Sequence, residues 1–349
     1  MRKIMLLVMI LTLCSAGNLF AGDYEQAIQF YKAEQYQKAV PLFQKEADKG
    51  NMKAQRKLAI CYENGEGVAE SQEKAVFWYT KAAEQGDSWA QDSLGSCYSS
   101  GRGCEKNHST AFKWFKKAAD QGDSWGLYHL GICYENGYGV EINNKTAFEF
   151  YSKAAAEGVR PAQLNLGYCY HEGVGVAKDP SKAVLWYRKA AEQGSSSAQC
   201  NLGNCYRDGE GVAKDLEKAV YWYTQAAEKG HAGAQLNLAF CYEHGQGVHK
   251  DQVRAAHLYT SAAEQGEAIA QYNLAVCYSR GQGIVKNMND AIYWYSKSAE
   301  QGYAPAQYNL GICYVDGTGV AKSKKWATYW LQKAADQGDK DAERVLAGL

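Results

Sequence analysis

Between residues 232 and 266 the apolar positions fall on two stripes of helical period. Ala234, Leu238, Cys241 and Tyr242 stand at i, i+4, i+7 and i+8, one face of a helix. Gly245-Gln246-Gly247-Val248 interrupts that stripe and predicts a turn. Asp251 follows where an N-cap is wanted, and Ala255, Tyr259, Ala262 and Ala263 form the second stripe. Gly266 stops it, as a residue able to enter the left-handed region after a helix. The pattern predicts two antiparallel helices.

The same pattern recurs along the chain. Cys61, Cys97, Cys133, Cys169, Cys205, Cys241, Cys277 and Cys313 are each 36 residues apart. A Tyr follows each of them and a Leu precedes each by three. Ala columns (Ala39 to Ala327) and Gly columns (Gly50 to Gly338) keep the same spacing, so residues 51–338 make eight units of 36. A period of this size predicts stacked supersecondary units that bury their apolar faces on their neighbours.

The N-terminus departs from the pattern. Arg2 and Lys3 precede an apolar run from Ile4 to Leu13, followed by small residues Ser15-Ala16-Gly17 and then Ala21. This reads as a secretory signal peptide over residues 1–21, cleaved near Ala21. Lipidation at Cys14 is the weaker alternative, because Leu13 occupies a slot that usually takes a small residue. The apolar run is too short to span a bilayer.

Composition narrows the function class. Lys+Arg and Asp+Glu are both 38, so the net charge is zero and nothing points to nucleic acid or anionic lipid. Gly is 35 but Pro only 4, and Tyr is 26, which argues against disorder.

Ala234-Gln235-x-Asn237-Leu238-Ala239-x-x-Tyr242-x-x-Gly245-x-Gly247-Val248-x-x-Asp251 resembles the Sel1-like repeat. So does Lys218-Ala219-Val220-Tyr221-Trp222-Tyr223-x-x-Ala226-Ala227-Glu228-x-Gly230. That family is related to the tetratricopeptide repeat. The resemblance covers residues 51–349; residues 22–50 look like a shorter tetratricopeptide-type pair, and residues 339–349 like a capping half-unit. It implies an all-α, right-handed α/α superhelical solenoid with a concave groove. It also implies an adaptor that binds a protein or peptide, in exported members often with an envelope or host-contact role. A disulfide-linked branch implies the alternative, a bacterial envelope enzyme with weak β-lactam or peptidoglycan-related activity. That branch's bridging slots here are mostly Ala, as at Ala83 and Ala90.

Chemistry is sparse. The cysteine column lies between Leu and Tyr on the core stripe, where Cys serves as a small buried hydrophobe. Cys104 replaces the Val of a Gly-x-Gly-Val turn, seven residues after Cys97, so a Cys97–Cys104 disulfide could pin that turn; Cys104 could equally stand in for Val. Cys200, outside the column, reads as a free thiol. The seven histidines lack ligand spacing, and no metal site or cofactor is expected. Ser71-Gln72-Glu73-Lys74 spells a Ser-x-x-Lys motif, but at a helix start, where Ser caps and Glu supports a capping box. No catalytic residue is expected.

A binding face should use positions the fold does not need. Residues two before and two after the column Leu point away from the core stripe. They are Tyr128 with Ile132, Leu164 with Tyr168, Leu236 with Phe240, Tyr272 with Val276, and Tyr308 with Ile312. By the tetratricopeptide resemblance these lie on the concave side, and they form either an apolar binding strip or inter-repeat core. Beside them, Asn165, Asn201, Asn237, Asn273 and Asn309 precede five consecutive column leucines. These amides could hold a peptide backbone or tie neighbouring helices. The expected partner is a protein or peptide, with no nucleic acid and no membrane span, and the chain is expected to be a monomer.

Overall fold

Each repeat folds from the inside out, as the unit at residues 232–266 illustrates. Its first helix, Ala232–His244, is capped by His231, whose Nδ1 accepts from the amide of Ala234 at 3.2 Å. Ala234, Leu238 and Cys241 are buried, and Gly245 ends the helix in the left-handed region at φ 70°. Asp251 then starts the second helix, Gln252–Glu264, by accepting from the amide of Arg254 at 3.0 Å. Ala255, Tyr259, Ala262 and Ala263 are buried on the facing side. Tyr242, placed on the core stripe by its spacing, is only half-buried: the Arg254 guanidinium covers its ring at 5.5 Å. Lys74, Lys182 and Lys218 cover Tyr62, Tyr170 and Tyr206 in the same way.

The structure is a computed structural model that describes residues 22–349. The expected signal peptide and the lipidation alternative at Cys14 lie outside the described residues. Nineteen helices, and no strand, occur among the described residues. We number them α1 to α19. The first pair is α1 (Asp23–Lys32) and α2 (Tyr36–Asp48). The following pairs are α3 (Met52–Asn64) with α4 (Gln72–Glu84), α5 (Ser88–Ser100) with α6 (His108–Asp120), and α7 (Ser124–Asn136) with α8 (Asn144–Ala156). Next come α9 (Arg160–Glu172) with α10 (Pro180–Glu192), α11 (Ser196–Asp208) with α12 (Leu216–Ala227), and α13 (Ala232–His244) with α14 (Gln252–Glu264). The last are α15 (Ala268–Arg280) with α16 (Met288–Glu300), α17 (Ala304–Asp316) with α18 (Lys324–Ala335), and the single helix α19 (Lys340–Ala347). The chain forms two compact units, one up to Cys169 together with residues 174–177, the other of residues 170–173 and 178–349.

Within each unit the repeats are fastened by main-chain and amide contacts as well as by apolar burial. In seven of the eight turns the second glycine has no room for a side chain, and at Gly319 the fit would be tight. A Cβ at Gly247 (φ 70°) would lie 2.3 Å from the carbonyl oxygen of Leu216, at the start of the preceding second helix. A buried glutamine column does comparable work. Gln55, Gln91, Gln163, Gln199, Gln235, Gln271 and Gln307 each donate to an alanine carbonyl eight residues earlier. Five of them, Gln55, Gln91, Gln235, Gln271 and Gln307, accept in turn from a glutamine 30 residues on. Buried amides satisfied this way hold register as well as adding stability.

Candidate functional site

The first helix of each repeat carries the candidate face. In the unit up to Cys169, Tyr128, Ile132, Leu164 and Asn165 are half-buried, and Tyr168 is 47% exposed. In the unit that follows, Asn201, Leu236, Asn237, Tyr272, Asn273, Val276, Tyr308, Asn309 and Ile312 are half-buried, and Phe240 is 41% exposed. Most of the apolar pairs therefore serve packing, within their own repeat and against the next. Tyr272 lies 5.9 Å from Tyr295 and 5.3 Å from Tyr303, ring centre to ring centre. Tyr128 lies 6.0 Å from Tyr151, while Tyr308 and Ile312 pack on the cluster of Ala327, Leu331 and Ala342. Two-residue offsets turn a side chain off the core stripe, but they set it against the second helix of its own repeat, as Tyr128 on Tyr151, or against the next repeat, as Tyr272 on Tyr303.

The asparagines divide into tied and free. Asn165 bonds the Tyr151 hydroxyl. Asn237 donates to Asn204 Oδ1 at 3.1 Å and contacts Cys200 Sγ at 3.9 Å; Asn309 donates to the hydroxyls of Tyr272 and Tyr295, both at 3.4 Å. Asn201 and Asn273 have no side-chain hydrogen bond among the described residues. For Asn273 the 14-residue offset that pairs Asn165 with Tyr151 and Asn309 with Tyr295 leads to Tyr259, whose hydroxyl donates to Glu243. The offsets that set Asn237 against Asn204 and Cys200, 33 and 37 residues back, lead from Asn273 to Phe240 and Leu236, which offer no polar atom. Phe240, 41% exposed, stacks instead on His244 of its own helix at 4.1 Å. His129 occupies the slot two repeats before Asn201 and bonds Asp92 at 2.6 Å.

Exposed apolar side chains that the two-residue rule passes over extend this face. Trp125 is 47% exposed and meets Tyr128 edge-on at 5.9 Å, and Ile269 is 43% exposed one turn before Tyr272. Trp89 is also exposed, with the Arg56 guanidinium over it at 6.0 Å. Their signal in the sequence was a large apolar residue in the first helical turn, where other repeats carry Lys53, Ser197 or Gly233.

The remaining candidates resolve into packing roles. Cys97 and Cys104 are both free thiols, so the bridge considered for them is not formed. Cys104 instead packs on the core cluster of Leu94 and Cys97, as the Val of other turns would. Cys200 is a free thiol but buried, and burial pushes it up to about 11. Ser71 is the N-cap of α4, accepting from the amide of Lys74 at 3.3 Å. The capping box is not closed, because Glu73 is the second helical residue, one short of the reciprocal position. It accepts from the Ser71 hydroxyl at 3.1 Å, while the Ser71 amide goes to the Tyr62 carbonyl. Lys74 lies over Tyr62 at 5.1 Å. No group of three or more metal-ligating side chains occurs among the described residues, and none of their helices is long and apolar enough to cross a membrane.

One cavity marks a break in the repeat. In three repeats a buried tyrosine donates to a glutamate of the first helix: Tyr79 to Glu63 at 2.5 Å, Tyr151 to Glu135 and Tyr259 to Glu243 at 2.6 Å. Phe115 and Ser99 replace that pair, and a cavity of about 340 Å³ opens beside them, lined also by Arg102, His129 and Tyr138.

Paired helices repeated without a change of length define a solenoid scaffold. The chain belongs to the Sel1 repeat family, whose repeat matches residues 53–87, 90–123, 126–159, 160–195, 196–231, 232–267, 268–303 and 304–339. It is similar to a protective antigen present in uropathogenic Escherichia coli strains, whose crystal structure displays an SLR fold. The two are 36% identical with a TM-score of 0.80, and the match covers 88% of this chain and 66% of that one. A Sel1 repeat protein from Oxalobacter formigenes is 32% identical with a TM-score of 0.65, covering 88% of each chain. Among curated proteins, none matches this sequence.

Proposed function

We propose that this chain is an exported, non-enzymatic adaptor that binds a protein or peptide along the first-helix faces of its repeats. The observation that carries the reading is the exposed ring of Phe240 on one first helix together with the half-buried amide of Asn273, 33 residues on, which makes no side-chain hydrogen bond among the described residues. An extended segment laid there gains an amide for its backbone and apolar surface for its side chains, without displacing any intramolecular hydrogen bond. Tyr168, with Trp125, offers a second such surface in the unit up to Cys169. Export rests on the leader read in residues 1–21, and it fits the resemblance to a protein described as a protective antigen. An envelope or host-contact role follows from the same two observations.

The test is affinity capture on the mature chain from envelope extract and host lysate, with the Phe240→Glu and Asn273→Ala chains as parallel baits. Leu236, Tyr272 and Tyr308 are unsuitable for charge insertion, since they are half-buried in packing. A protein retained by the parent and lost from both variants, each folded by circular dichroism, supports the reading. Equal retention by all three baits overturns the site.

A further inference from the structure

The second helices carry an aromatic column with one gap. Trp78, Trp114, Phe150, Trp186, Trp222, Trp294 and Trp330 stand 36 residues apart or at multiples of it, and Leu258 holds the remaining place. Where the ring is present it fills one particular space. Trp294 packs on the cluster that contains Leu274, as does Tyr278. Trp78 packs on the cluster that contains Leu58, as does Tyr62. Even the shorter Phe150 covers the tyrosine, stacking on Tyr134 at 5.7 Å and 9°.

Leu238 and Tyr242 are the equivalents of these walls in the repeat of Leu258. There the space is open: a cavity of about 380 Å³ is lined by Leu238, Tyr242, Val253, Arg254, His257 and Leu258. Leu238, Tyr242, Val253 and Leu258 make its walls largely apolar, His257 adds an imidazole, and the Arg254 guanidinium, 3.1 Å from the Tyr242 hydroxyl, lies 5.5 Å from the centre of that ring. Val253, 67% exposed, extends the apolar rim outward, where residues flanking an inserted side chain would lie.

We infer that this gap is a receptor slot for one tryptophan side chain of a partner peptide. The other repeats show what shape these walls fit, since an indole of the chain itself packs there at Trp78, Trp114, Trp294 and Trp330. An apolar cavity left by a missing ring binds a ring supplied from outside. Arg254 adds a cation over the aromatic face. The slot lies between the two helices of one repeat and is independent of the first-helix face, so either site can fail without the other.

The experiment uses the full chain and a capped Gly-Trp-Gly peptide bearing 5-fluorotryptophan, followed by fluorine NMR. Capped Gly-Leu-Gly and free 5-fluoroindole are the comparison probes. The tryptophan peptide should bind saturably and the leucine peptide should not compete. Leu258→Trp, which restores the column residue, should stay folded with an unchanged or higher Tm and bind at least about tenfold more weakly. Leu258→Ala, which keeps the slot open, should retain binding. Four results overturn the inference. They are no binding to the parent chain, undiminished binding to Leu258→Trp, a Leu258→Trp chain that is destabilised, and binding of fluoroindole without binding of the tryptophan peptide.

Discussion

Lys229 donates to the carbonyl of Gly194 at 3.0 Å and leaves Oε1 of Gln199 buried with no hydrogen-bond partner among the described residues. Two repeats show what is missing. Gln301 reaches both the Gly266 carbonyl and Gln271 Oε1, and Gln337 both the Gly302 carbonyl and Gln307 Oε1. A lysine at this place keeps the first bond and loses the second. Lys229→Gln should therefore stabilise the chain by about 1 kcal/mol, the cost of an unsatisfied buried acceptor. A urea titration checks it; an unchanged or lower midpoint would sink the account.

The tyrosine–glutamate pairs should be coupled. Tyr259→Phe leaves the Glu243 carboxylate without its 2.6 Å donor and should cost about 1–3 kcal/mol. Adding Glu243→Ser reproduces the Phe115 and Ser99 arrangement found in another repeat. The double variant should then lose less than the sum of the two single losses, by at least about 0.5 kcal/mol. Strict additivity in a double-mutant cycle would refute the coupling.

Stability should fall in mild alkali. Burial pushes the thiols of Cys97 and Cys241 up to about 11, and those of Cys61, Cys133 and Cys169 up to about 12. Each contribution is complete below the unfolded thiol pKa of about 8.5 and is lost as pH rises through the folded value. Urea midpoints should hold from pH 7 to pH 8 and decline above about pH 8.5. A thiol reagent at about pH 8 should modify half-buried Cys104 before any cysteine of the column. Midpoints that rise with pH would contradict the assignment.

Ser71→Ala should behave as the loss of a helix cap. The expected cost is about 1 kcal/mol, in line with other caps, and Ser71→Asp should recover most of it. Nitrocefin turnover by the parent chain, abolished in Ser71→Ala but independent of stability, would instead revive the envelope-enzyme alternative.

The helices were legible because each rests on a local rule. The interval between Cys241 and Tyr259 already contains the end of one helix, a glycine turn, an Asp cap and the start of the next. The candidate face was legible only as a set of residue types. Asn237 and Asn273 look identical along the chain, and what separates them is the residue 33 positions earlier on another helix, Asn204 in one case and Phe240 in the other. Val276 and Phe240 likewise share a slot, two residues after the column Leu, but not an exposure, because Val276 packs on the cluster of Ala275 and Ala291. Those differences come from contacts between helices, which no pattern confined to one helix reports.

The seat of Gly247 on the backbone of Leu216 has a bearing on how such a chain changes length. Because that contact is made by main chain, it does not depend on which side chains occupy the two repeats. A complete 36-residue cassette can therefore be duplicated or excised and still meet the same kind of neighbour on either side. A single inserted residue between the paired glycines has no such tolerance, since it would lift the turn from its seat. The uniform unit length from residue 51 to residue 338 is the trace this asymmetry leaves in the gene product.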